Sequence, residues 1–206
     1  MLVSEKMKSF DEIIKEDKPI DIEIGFGKGQ FIVEKAKLYK DINFIGFEVK
    51  KGLVDYTISL IEKNSLSNIY VEKSYANVSI PQKIPNESIR NIYVNFPDPW
   101  WKRKHKKRRI LQTDYIKIFY NSLKEDGIIY VRTDVKEYSE FVKKNFSEFK
   151  EFQEIEHDII SDNIMSNRET RCIEEGLDVY YLAFKKVTSG TMSVKLINYS
   201  SDDDLE

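Results

Sequence analysis

Apolar positions along the chain follow two alternating rhythms. Five short runs rich in β-branched and aromatic residues read as strands: PIDIEI (19–24), INFIGFEV (42–49), NIYVEK (68–73), RNIYVNF (90–96) and GIIYVRTD (127–134). Between them, GQFIVEKAKLY and GLVDYTISLIEKN place apolar residues at helical spacing. A further helix is expected through YIKIFYNSLKED, capped by Thr113 and ended by Gly127. Strand and helix in this cadence predict a parallel α/β sheet covered on both faces. The last run, DVYYLAFKKV (178–187), alternates apolar and polar as an antiparallel edge strand does. Pro81 and Pro85 mark an expected loop before the fourth strand. No internal repeat is visible, so residues 1–187 are expected to form one domain.

Composition narrows the class. A chain of 206 residues with 41% hydrophobic and 13% aromatic content can bury a core, which excludes wholesale disorder. No apolar run approaches the roughly 18 residues that span a bilayer, and MLVSEKMKSFDEIIKE has no signal-peptide core. A cytoplasmic protein with no membrane partner is expected. One cysteine, Cys172, excludes an intrachain disulfide, and with two histidines a Cys/His zinc cluster is excluded too; no metal is expected. Charge is the informative quantity. Net charge is −2, yet seven of the 33 Lys and Arg residues fall in KRKHKKRR (102–109), leaving 26 against 35 acids elsewhere. An acidic body with one basic segment suggests an anionic partner held at one place. The end of the chain, SSDDDLE, is acidic, and residues 188–206 are expected to be mostly disordered or loosely docked, a flexible acidic tail.

The first strand runs into Glu23-Ile24-Gly25-Phe26-Gly27-Lys28-Gly29-Gln30. Glycines there let the backbone turn sharply and approach a ligand. A dinucleotide fingerprint requires a glycine where Gln30 stands, and an acid at Glu23 would repel a pyrophosphate. Glu23 suits a ligand bearing positive charge, such as an amino group or a sulfonium. Glu48 ends the second strand, where a carboxylate can accept from two ribose hydroxyls. A tight turn and a solvated strand-end acid are the plainer readings of either feature singly. Glu23, the glycine loop and Glu48 together resemble the cofactor half of class I S-adenosylmethionine-dependent methyltransferases. That resemblance implies a Rossmann-like, mostly parallel seven-stranded doubly wound sheet with an antiparallel C-terminal strand.

The fourth strand leads into Asn95-Phe96-Pro97-Asp98-Pro99-Trp100-Trp101, followed at once by the basic run. Two prolines fix the backbone around Asp98. A rigid loop with one carboxylate and indole rings can hold a flat heterocycle, Asp98 accepting from an N–H edge while an aromatic ring stacks. The plainer account packs both indoles in the core and leaves the cations solvated. The cations are read instead as phosphate contacts: Arg103, Lys104, Lys106, Lys107, Arg108 and Arg109. His105 lies within the cationic run and takes no catalytic role.

NFPDPWWKRKHKKRRI, taken with the glycine loop, resembles the tRNA (guanine-N7-)-methyltransferase family over roughly residues 19–187. The resemblance implies methyl transfer from S-adenosylmethionine to N7 of the variable-loop guanosine at tRNA position 46, leaving S-adenosylhomocysteine. It implies cofactor contacts at Glu23, Gly25, Gly27, Gly29, Glu48, Tyr75, Ala76 and Asp98, with Asp98 in the active site. It also implies substrate contacts at Lys102, Asp134, Thr170, Arg171 and Glu174. Two departures stand out. Tyr75 replaces a usual Asp or Asn, and the segment usually written Thr-Lys/Arg-aromatic-Glu-x-x-Gly reads Thr170-Arg171-Cys172-Ile173-Glu174-Glu175-Gly176, with Ile173 at the glutamate position. Two alternatives stay open: a class I enzyme acting on an exocyclic amine, and an RNA-binding module with a dead pocket. Monomer and homodimer are equally compatible with the sequence.

Overall fold

The computed structural model describes residues 7–102, 105, 108–156 and 163–194. Its strands are β1 (Ile20–Ile24), β2 (Asn43–Glu48), β3 (Ile69–Lys73), β4 (Ile89–Asn95), β5 (Leu123–Thr133), β6 (Phe152–Ile155) and β7 (Tyr180–Lys186). They form one sheet in the order β3-β2-β1-β4-β5-β7-β6. β1, β2, β3, β4 and β5 pair in parallel, whereas β7 runs antiparallel to both β5 and β6. The helices are α1 (Phe10–Lys15), α2 (Gln30–Leu38), α3 (Lys51–Lys63), α4 (Ala76–Lys83), α5 (Thr113–Ser122), α6 (Lys136–Phe146) and α7 (Asn167–Glu174).

Buried strands with apolar residues toward both faces must be covered on both sides. On one face Ile22, Ile92, Val94, Ile129 and Val131 pack with Ile80 of α4, Phe119 of α5 and Val142 of α6. On the other, Phe44 and Val71 pack with Ile32 and Val33 of α2 and Val54 and Ile61 of α3. The chain turns from β1 outward to β2 and β3, then returns to place β4 on the other flank of β1. The strand order therefore reverses between β1 and β4, where open α/β sheets form their ligand crevice.

Four expectations need correction. β7 is not an edge strand: β6 occupies the edge, and β7 lies between it and β5. Pro81 stands inside α4 rather than in a loop. The N-cap of α5 is Gln112, not Thr113, and the helix stops at Ser122. Leu123 already pairs with Ile89, and pairing resumes only at Ile128 with Asn91, so residues 124–127 bulge outward from β5. Gly127 closes that bulge, because a Cβ there would meet the Arg90 and Lys124 carbonyls at 2.9 Å. The start of the tail docks on α5. Tyr120 Oη shares a 3.0 Å hydrogen bond with Thr188 Oγ1, and Asn121 exchanges side-chain bonds of 2.9 and 2.6 Å with the Met192 backbone. Residues 195–206 lie outside the described residues.

Candidate active site

β1 ends at Ile24, and the next turn is built from three left-handed glycines, Gly25 (φ +71°), Gly27 (φ +56°) and Gly29 (φ +69°). Gly25 N–H donates to Phe47 O at 2.7 Å, which ties the loop to β2. Glu48, at the end of that strand, accepts from Gly27 N at 3.1 Å through Oε2, and from Val49 N at 2.8 Å and Lys50 N at 3.0 Å through Oε1. Glu48 thus braces the glycine loop with its own carboxylate. A carboxylate offers about four acceptor positions, so capacity remains for a ligand hydroxyl.

Glu23 points into the switch point and is 2% exposed. Its Oε1 accepts from Asn95 Nδ2 at 2.9 Å, so the last residue of β4 reaches across to β1. Its Oε2 has no partner among the described residues. Burial pushes the carboxyl up to about 7, against the lowering effects of the Asn95 hydrogen bond and the Arg132 charge. Tyr75 is the N-cap of α4 and Ala76 is buried behind it. Ser74 N–H donates to Glu48 O at 3.0 Å, which holds this turn beside the end of β2.

From Asn95 the chain enters the Pro-Asp-Pro loop. Phe96 (φ +50°) and Trp100 (φ +43°) both take left-handed backbone, a conformation costly for aromatic residues and concentrated at functional sites. Phe96 N–H donates to Arg132 O at 2.8 Å. Asp98 is exposed, and its Oδ1 accepts from Trp100 N at 3.0 Å. The Pro99 carbonyl accepts from Arg109 Nε at 2.7 Å, and the Arg109 guanidinium lies 4.9 Å from the Phe141 ring. The basic run assigns Arg109 to phosphate. Its buried guanidinium instead clamps the loop onto α6. Arg108 sits over the Trp100 ring at 5.4 Å, and Lys102 is exposed. Arg103, Lys104, Lys106 and Lys107 lie outside the described residues.

Beyond β5, Asp134 is ion-paired with Arg168 of α7. Thr170, Arg171 and Glu174 are exposed on α7, with Thr170 Oγ1 donating to Ser166 O at 3.2 Å and Arg171 pairing with Glu175 at 2.6 Å. A hydroxyl-x-x-glutamate pair stands four residues before Thr170, at Ser166 and Glu169. Each side chain caps the other's backbone N–H. Glu169 is buried, accepts from Arg132 Nη1 at 2.5 Å through Oε2 and from Tyr181 Oη at 2.9 Å through Oε1. Asn95, Arg132 and this Ser166–Glu169 pair escaped the sequence reading. Ser166-x-x-Glu169 was visible as a capping box, and Arg132 as a charge inside an apolar strand.

The residues present fit S-adenosylmethionine. A buried carboxylate oxygen without a partner at Glu23 is complementary to a cationic group, and the glycine loop leaves open space at Gly25 and Gly27, where a Cβ would meet nothing within 4 Å. Comparison with known proteins agrees. A family model described as "Putative methyltransferase" matches residues 17–182. The tRNA (guanine-N(7)-)-methyltransferase of Geobacillus kaustophilus is 30% identical over 174 residues, covering 82% of this chain and 80% of that one. The Oceanobacillus iheyensis enzyme of the same name is 32% identical over 180 residues, covering 85% and 84%.

This chain belongs to the tRNA (guanine-N7-)-methyltransferase family.

Among solved structures, the 16S rRNA methyltransferase KamB superposes with a TM-score of 0.64 at 11% identity, covering 89% of this chain and 95% of that one. An O-methyltransferase from Thermotoga maritima gives 0.57 at 12% identity, covering 91% and 69%. At such identity these likenesses establish the methyltransferase fold alone. Among the described residues no helix is long and apolar enough to cross a membrane.

Proposed function

We propose that this methyltransferase transfers the methyl group of S-adenosylmethionine to N7 of a guanosine in tRNA, the variable-loop guanosine at position 46, in the cytoplasm. The observation that carries this reading is the Asn95–Glu23 hydrogen bond, which joins the cofactor turn of β1 to the Pro-Asp-Pro loop after β4. The pocket for a cationic donor and the loop for a flat base are thereby neighbours.

Guanine N7 has an in-plane lone pair and no proton, so the site needs no general base. Its task is alignment for in-line displacement. When bound, S-adenosylmethionine supplies the electrophilic methyl. Glu23 offers its unpartnered Oε2 to positive charge, and Glu48 holds the glycine loop and offers its remaining lone pairs to ribose. Asp98 orients guanine by accepting from its N–H edge, and its negative charge favours the cation developing on the purine. Lys102 stands at the loop exit to meet phosphate.

Incubation of unmodified tRNA with labelled S-adenosylmethionine, followed by borohydride and aniline, tests the reading. Strand cleavage at guanosine 46 is expected. Labelled tRNA that resists cleavage would move the chemistry to an exocyclic amine, and absence of label would remove the activity.

A further inference from the structure

The two adjacent indoles of the Pro-Asp-Pro loop have different surroundings. Trp100 is held: Arg108 lies over its ring at 5.4 Å, the edge of His105 meets it at 5.5 Å and 89°, and its backbone N–H is bonded to Asp98. Trp101 is 60% exposed. An indole left in water on a mobile loop needs no explanation, but this loop is fixed. Pro97 and Pro99 restrict it, Arg109 clamps the Pro99 carbonyl, and His105 N–H donates to Lys102 O at 2.8 Å immediately after Trp101. A large, flat, apolar surface is therefore presented in advance, three residues from Asp98. Three residues reach at most about 10 Å, the scale of one nucleotide to the next.

We propose that Trp101 is a base-stacking residue of this enzyme, receiving an unstacked tRNA base next to the target guanosine. The inference rests on the tRNA reading above and adds a contact outside the guanine site. Loops of RNA expose bases that stack on aromatic side chains, and such stacking tolerates any base because each has a π-face. Trp100 serves a different end. Packed between Arg108 and His105, it sets the loop from which Trp101 projects.

The chain has two tryptophans, which makes the test direct. Binding of unmodified tRNA is measured for wild type, Trp101→Ala, Trp101→Phe and Trp101→Tyr. The alanine variant is expected to bind about tenfold more weakly, equivalent to ~1.4 kcal/mol. Phe and Tyr should recover most of that loss. The salt slope of log Kd should not move, because the substitution leaves the phosphate-binding cations in place. Quenching of tryptophan fluorescence by tRNA should be smaller in Trp101→Phe, where Trp100 alone remains, than in wild type. With tRNA carrying an abasic residue on one side of the target guanosine, wild type and Trp101→Ala should become equal.

Equal affinity of wild type and Trp101→Ala for intact tRNA would overturn the proposal. So would a change in sedimentation from dimer to monomer in Trp101→Ala with tRNA affinity unchanged, which would make the indole a contact between copies. If wild type itself neither binds nor methylates tRNA, the functional reading fails, and that outcome is distinct from the other two.

Discussion

Glu23 carries a cost that its position explains. The folded protein keeps this carboxyl protonated up to about 7, whereas the unfolded chain releases the proton near 4.5. Stability from this group is therefore complete below pH 4.5 and declines as pH rises from 4.5 to 7. Glu23→Gln should remove that decline: thermal melts at pH 8 should show the variant more stable than wild type, with no gain at pH 4.5. The same substitution should weaken S-adenosylmethionine binding in calorimetry at pH 8. Asp98 makes the opposite exchange, since it is exposed and its replacement threatens chemistry more than folding. Asp98→Asn keeps the shape but sets a donor against the donors of guanine, and unmatched buried groups cost about 1–3 kcal/mol. Single-turnover methylation should fall roughly tenfold or more, each 1.4 kcal/mol being about a factor of ten. Cofactor affinity should change less. Both acids could be singled out from the sequence because Glu23 stands one residue before the end of β1, at the glycine loop, and Asp98 sits between prolines. The role of Arg109 was not, since a cation in a basic run gives no sign that two aromatic rings of α6 will receive it.

At the scale of elements, the glycine loop is set by contact as well as by turn geometry. A Cβ on Gly29 would lie 2.3 Å from Thr57 Cγ2 of α3, and the residue is left-handed besides. Left-handed backbone costs roughly 1–2 kcal/mol for a non-glycine residue, and overpacking adds about 1–3. Gly29→Ala should therefore lower the denaturant midpoint clearly more than Gly27→Ala, which meets no neighbour; equal decreases would show that φ alone matters. Among the elements, β1 to β4 and the helices α2 and α3 follow from periodicity directly. The end of α5 did not, because Leu123-Lys124-Glu125-Asp126 continues a helical pattern while Leu123 gains more by pairing with Ile89 in the sheet. α4 hid behind Pro81, because a proline past the first turn removes a helical hydrogen bond and crowds the carbonyl four residues back, a cost set here against the burial of Ala76, Asn77, Ser79 and Ile80.

For the whole molecule, the concentration of cations in residues 102–109 should make tRNA binding salt-dependent. Replacing Lys102, Arg103, Lys104, Lys106 and Lys107 by Ala should reduce the log–log salt slope by about 0.7–0.9 for every phosphate no longer neutralised. Arg109→Ala should instead lower thermal stability and leave the slope alone; a reduced slope there would return Arg109 to the phosphate set. The parallel architecture was legible from the alternation of strands and helices. The order of its last two strands was not, because alternation reveals exposure to a face and not the neighbour on either side. That order governs how the chain can be made. Among the described residues β6 pairs with β7 alone, and β7 is the wedge that joins it to β5. During synthesis, the strands from β1 to β5 can assemble as they emerge, while Phe152–Ile155 must wait for Tyr180–Lys186. Until then the nascent sheet ends in a bare β5 edge. Through the interval between those two strands, that unpaired edge is a template for wrong pairing and leaves the nascent chain open to aggregation and proteolysis.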